Sequence, residues 1–158
     1  MSELYIRVCS RDDADTIAGL YQQSAAYLRS LGDRGTLTFN AEAYRRDGFG
    51  EKPAFEGILA ELDGKAAGYL LYTFTYDTDR TMRILYVLDL LVDETSRGQG
   101  IGRQLMEHAK EIAKARGTSE LMWAVFKHNK GAEEFYKNLG AERLEDVFFM
   151  TLTAEEKE

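Results

Sequence analysis

The stretch best equipped for chemistry is Leu90-Leu91-Val92 followed by Arg97-Gly98-Gln99-Gly100-Ile101-Gly102-Arg103. An apolar strand pattern runs into a glycine-rich turn, and the turn opens an amphipathic helix pattern. The first amides of a helix lack partners within it and sit at the positive end of its dipole. Glycines let the backbone turn and let a ligand come close without a side-chain clash. The combination describes a phosphate cradle, and Arg97 and Arg103 add charge-assisted donors. Two nucleotide patterns fit poorly. G-x-G-x-x-G starts correctly at Gly98 and Gly100 but meets Arg103 at its third glycine, and the P-loop's Gly-Lys-Ser/Thr is absent. On these residues alone, a glycine-rich helix start without a ligand stays open.

A second stretch, Asn129-Lys130-Gly131-Ala132-Glu133-Glu134-Phe135-Tyr136-Lys137-Asn138-Leu139-Gly140-Ala141, follows the next strand pattern. With both stretches in hand, the sequence resembles the GNAT superfamily of N-acetyltransferases. That superfamily's R/Q-x-x-G-x-G/A motif is met from Arg97 to Gly102. Its second motif, an Asn, a helix with a Phe-Tyr pair and Leu-Gly-Ala, is met from Asn129 to Ala141. The resemblance covers nearly the whole chain. Asp47-Gly48-Phe49-Gly50, Tyr72-Thr73-Phe74-Thr75-Tyr76-Asp77 and Leu85-Tyr86 through Asp89 narrow it to the diamine (spermidine/spermine) and thialysine acetyltransferase branch.

The resemblance implies acetyl-CoA as co-substrate and a small-molecule amine as acceptor. It implies that Leu90, Leu91 and Val92 offer backbone groups to the pantetheine arm. Arg97, Gly98, Gln99, Gly100, Ile101, Gly102 and Arg103 would hold the pyrophosphate, and Asn129 and Tyr136 would meet the co-substrate beside the second helix. A homodimer is implied as well. Two positions depart from the branch: Leu88 stands where it has Glu before Asp89, and Leu28 stands where it has an acidic residue after Tyr27. Two carboxylates suited to a polyamine are therefore aliphatic. A protein N-terminus or an antibiotic amine stays open as acceptor, as does a non-catalytic module that binds CoA or a polyamine.

Acetyl transfer to nitrogen needs a neutral amine. A lysine-like amine with a pKa of about 10.4 must be deprotonated at a cost of ~4.6 kcal/mol at neutral pH. Asp89, late on the strand beside the cradle, is the candidate base, with a purely structural carboxylate as the alternative. Tyr136 is the candidate acid for the leaving thiolate by family position, and otherwise a core aromatic next to Phe135. A thiol pKa of about 8.5 against about 10 for a tyrosine makes that proton transfer slightly uphill. The developing oxyanion needs backbone N–H donors, expected from the Leu90 to Val92 edge. Tyr27 and Tyr76, with Tyr72 and Phe74, either line the amine pocket or serve packing and a dimer interface. Cys9 reads as a small buried hydrophobe, and His108 and His128 as solvated side chains.

Composition bounds these readings. The 158 residues carry 20 Lys and Arg against 27 Asp and Glu, for a net charge of −7. Nucleic-acid binding would call for the opposite sign. One cysteine excludes an internal disulfide, and two isolated histidines argue against a metal site. No apolar run suits a membrane span and no signal pattern opens the chain, so the expectation is a cytoplasmic protein. Pro53 is the lone proline, and neither a linker nor a repeat divides the chain, which reads as a single domain over residues 1–158 ending in a charged tail, Glu155 to Glu158.

The elements that must position these residues follow from periodicity. Strands are expected over Leu4–Val8, Phe55–Leu62, Ala66–Tyr76, Met82–Val92, Glu120–Phe126 and Val147–Leu152, with Met82–Val92 central and buried on both faces. Asp63-Gly64 marks a two-residue hairpin. Helices are expected after Asp12 or Asp13, through Leu31; after Asn40, through Tyr44 and ending before Gly48; over Gly100–Arg116; and over Lys130–Leu139. The order predicts an α/β, α+β layered domain: a mixed, mostly antiparallel central sheet with helices on both faces.

Overall fold

A computed structural model describes residues 1–156, so the last two residues of the charged tail lie outside it. Five strands, β1 (Leu4–Val8), β2 (Glu56–Leu62), β3 (Lys65–Asp77), β4 (Met82–Val92) and β5 (Leu121–Met122), line up in sequence order. The first four pair antiparallel and β5 joins β4 in parallel. Helices α1 (Ala14–Ser30), α2 (Ala41–Phe49), α3 (Ile101–Ala115) and α4 (Lys130–Asn138) complete the domain. The mixed, mostly antiparallel α/β architecture expected from the pattern is present. No helix among the described residues is long and apolar enough to cross a membrane.

Alternation along β3 explains the two layers. Tyr69 and Leu71 point to the side of α1 and α2, where they pack with Ile17, Leu20 and Tyr44; Leu70 and Tyr72 point to the side of α3, against Leu105 and Ala109. Both faces are covered, which is why β3 reads as an almost unbroken apolar run. The Asp63-Gly64 turn has φ of 51° and 79°, as the type I′ geometry of a two-residue hairpin requires.

Four expectations are corrected. Helix α2 runs through Gly48 to Phe49, because the bare face of Gly48 receives the Phe55 ring at a place where a Cβ would lie 2.6 Å from it. Strand β4 is not continuously buried: Leu71 pairs with Asp89 but Tyr72 pairs with Val87, so Leu88 is an extra, bulged residue and is 47% exposed. Strand β5 is two residues rather than Glu120 to Phe126. It pairs only at Leu85↔Leu121 and Tyr86↔Met122, and the β4 bulge bends that strand away just beyond. Val147–Leu152 forms no strand and stands in solvent, since no strand edge lies alongside it.

Candidate active site

The divergence of β4 from β5 positions the site. Beyond Tyr86, the β4 edge turned away from β3 has no strand partner among the described residues. The same strand leads through a 3-10 turn, Glu94–Ser96, into the start of α3. There Gly98 and Gly100 adopt φ of 79° and 78°, a left-handed conformation that side chains disfavour. Open space surrounds both positions where a Cβ would stand. Among the described residues, no protein acceptor serves the amides from Gly98 to Arg103. Unpaired amides, an open approach and the helix dipole make an anion-binding concavity.

The arginines are tethered at one point each. Arg97 Nε donates to the Val92 carbonyl at 3.2 Å, which occupies one of the backbone groups expected to face the co-substrate. Arg103 donates to the Asn138 carbonyl at 3.3 Å and so ties α3 to α4. Gln99 donates to the Ser96 carbonyl at 3.4 Å and steadies the turn. Ile101 is buried and anchors the first helical turn.

Helix α4 is brought alongside by Gly102, where a Cβ would sit 3.0 Å from the Phe135 ring and 3.6 Å from Val92. Asn129 caps α4, accepting from the Ala132 amide at 3.1 Å, so its carbonyl oxygen is engaged in the helix start. Tyr136 stacks between Trp123 at 4.9 Å and Phe135 at 5.2 Å. Its hydroxyl has no hydrogen-bond partner among the described residues. Burial, with the nearby Asp89 charge second, pushes its pKa up to about 12. The phenol thus keeps its proton at neutral pH. The gap to a thiolate near pKa 8.5 widens to roughly three and a half pH units, so transfer requires the leaving sulfur to be desolvated in the same place.

Asp89 lies next to the bulge. It retains some exposed surface, yet its carboxylate is closed in by protein, and burial raises its pKa. The Tyr69 hydroxyl donates to Asp89 Oδ2 at 2.5 Å and opposes that rise. The charge of Asp89 also raises the pKa of Tyr21 on α1, after burial.

The fold gathers some of the anticipated pocket residues and not others. Tyr27 reaches α4: its hydroxyl lies 3.9 Å from where a Cβ of Gly131 would stand. Tyr76 does not join them. It pairs with Arg83, five residues along β3 from Leu71, the partner of Asp89, or roughly 16 Å at the rise of a strand. Tyr72 is buried and Phe74 packs on it and beneath Arg116, so both serve the core. His108 and His128 are exposed and Cys9 is buried, its thiol pushed up to about 12 by desolvation.

Two residues escaped the sequence reading. Tyr69 carries a hydroxyl in an apolar strand, on the face it shares with Leu71, and that polar atom was the available signal. Gln23 continues the three-residue spacing of Ile17 and Leu20 as a polar residue on the inner face of α1. It donates to Asp93 at 2.7 Å and accepts from the Glu94 amide at 3.0 Å, and so fastens the turn before the cradle.

Comparison with known proteins gives the family and the fold. The Acetyltransferase (GNAT) family profile matches residues 20–141. Thialysine N-epsilon-acetyltransferase of Sus scrofa is 36% identical over 155 residues, covering 93% of this chain and 89% of that protein. Spermidine/spermine N(1)-acetyltransferase-like protein 1 of Homo sapiens is 29% identical over 89% of this chain, which spans 21% of that longer protein. An integron cassette protein from V. cholerae superposes with a TM-score of 0.78 at 24% identity, covering 96% of this chain and 93% of its own.

Proposed function

The chain belongs to the GNAT acetyltransferase family, and from that premise we propose that it moves the acetyl group of acetyl-CoA to a primary amine of a small molecule, of the lysine-analogue or polyamine kind, by direct attack. The observation that supports this reading is a run of unpartnered amides from Gly98 to Arg103 at the end of the strand that carries the enclosed carboxylate of Asp89, with the unpaired hydroxyl of Tyr136 on the neighbouring α4.

The residues fit a diphosphate-bearing thioester. The cradle supplies amide donors and leaves space before Gly98 and Gly100, and the open β4 edge beyond it suits an amide-containing arm. Bound there, the co-substrate contributes an activated acyl group. Asp89 accepts the first proton from the acceptor ammonium. The nitrogen lone pair forms the new N–C bond as the C–S bond breaks, and Tyr136 gives its proton to sulfur. The amine loses two protons in all: the first reaches solvent through Asp89, and the second, released as the amide forms, restores the proton that Tyr136 gave to sulfur. No side chain forms a covalent intermediate. With Leu28 and Leu88 aliphatic, Asp89 is the one acidic group left of the set expected near the amine, which favours an acceptor presenting a single cation there.

Purified protein, acetyl-CoA and a panel of thialysine, lysine, polyamines and amino-acid amines test the reading by CoA release. Turnover is expected with at least one small amine. Silence across the panel, together with no acetyl-CoA binding by calorimetry, would contradict it.

The reading extends to a homodimer, with a second copy covering Val147–Leu152. Val147, Phe148, Phe149, Met150 and Leu152 are 64–94% exposed, an apolar load that a solvated monomer does not favour. A groove of about 330 Å³ beside the open β5 edge, lined by Met106, Leu121, Trp123 and Leu139 among others, offers an apolar seat for such a segment. Light scattering is expected to give twice the 17.9 kDa chain mass, and deletion of residues 147–158 is expected to halve it. A full-length monomer contradicts the assignment.

A further inference from the structure

We propose that Tyr69 is a positioning residue, whose hydroxyl holds the Asp89 carboxylate in one orientation and in its ionised, proton-accepting form. The proposal rests on Asp89 being the base, and it goes further by explaining how a carboxylate in that place keeps a charge.

An enclosed carboxylate with nothing to stabilise it takes up a proton and ceases to be a base. Asp89 forms no ion pair among the described residues. The titratable groups around it are phenols: Tyr69 from β3, Tyr21 from α1 and Tyr136 from α4. Of these, Tyr69 alone donates to it, at 2.5 Å to Oδ2, with the Leu90 amide as a further, weaker aid to the charged form. No side chain among the described residues donates to Oδ1.

Tyr69 itself has nowhere else to go. It is 0% exposed, packed with Tyr44, Leu59 and Leu71 in the layer beneath α1 and α2. Its ring is fixed by that core and its hydroxyl is delivered to β4 across the strand pair, where Tyr69 faces Leu91 and Leu71 faces Asp89. Burial and the Asp89 charge hold the phenol pKa far above its ordinary value, so Tyr69 remains a donor across the working range. The bulge at Leu88 completes the device by letting Asp89 sit where a regular strand would offset it.

Tyr69→Phe keeps the ring and removes the donor, so the fold is expected to persist. With a hydrogen bond to the charged form lost, the Asp89 pKa rises. The acid limb of kcat/KM, measured with one amine on both proteins, is expected to move up by about one pH unit or more, a roughly tenfold loss of kcat/KM below the limb and little change above it. Acetyl-CoA affinity is expected to stay unchanged. In an Asp89→Asn background, Tyr69→Phe is expected to leave the profile alone. A readout independent of turnover is the 13C carboxyl titration of Asp89, identified by the resonance missing in Asp89→Asn: its midpoint is expected to rise in Tyr69→Phe. A midpoint that stays or falls overturns the proposal whatever the activity. A raised midpoint with an unmoved kinetic limb overturns the catalytic use of the contact and leaves acetyl transfer standing.

Discussion

Tyr136→Phe is expected to lower kcat by roughly 10²–10⁴-fold, the usual share of a positioned general acid, while the acetyl-CoA dissociation constant and the melting temperature stay close to those of the parent. The reasoning is local. The ring packs against Trp123 and Phe135 and would do so without its oxygen. The hydroxyl binds no protein group among the described residues, so no buried partner is orphaned by its loss. What disappears is a proton that no protein group among the described residues holds. Because burial pushes the phenol up to about 12, the tyrosine is protonated at any working pH, and the effect should be uniform across the profile rather than confined to one limb. Steady-state kinetics beside calorimetry measure this. A kcat within a few-fold of the parent would show that sulfur collects its proton from water.

Gly100→Asp attacks the other half of the site. At φ of 78°, Gly100 sits where Asp is among the few side chains tolerated, and a Cβ there meets nothing within 4 Å. An acidic residue at the start of α3 complements the helix dipole, so any cost in stability is small. Yet the carboxylate stands before the amides of Ile101 to Arg103, where a diphosphate would lie. A like charge about 5 Å from a phosphate at an effective dielectric of ~20 costs about 3 kcal/mol, and acetyl-CoA affinity is expected to fall roughly a hundredfold or more. Titration calorimetry and thermal melting separate the two effects. Unchanged affinity in a folded variant would remove the cradle from the account.

Legibility in the sequence followed the range of the physics involved. Local signals carried well: the Asp63-Gly64 turn, the Asn40 cap and the glycines that end α3 and α4 all act within a few residues. Non-local pairing did not. Glu120 to Phe126 and Val147–Leu152 have strand composition, but a strand exists only where an edge accepts it, and composition says nothing of the β4 bulge that withdraws the edge. The candidate site shows the same division. The cradle and Tyr136 lie within short motifs, whereas Tyr69 and Gln23 act through partners 20 and 70 residues away. Tyr76 shares a face with Tyr72 and Phe74, yet its distance from Asp89 depends on register rather than on facing.

The central claim is that the turn into α3 grips a diphosphate and thereby lays a thioester along the open edge of β4. A crystal structure of the protein with CoA tests it most directly. The account predicts diphosphate oxygens within hydrogen-bonding reach, about 2.7–3.2 Å, of amides between Gly98 and Arg103, with the sulfur beside the Tyr136 hydroxyl. CoA seated elsewhere, for instance in the groove by Leu121 and Leu139, with only solvent before Gly100, would contradict it.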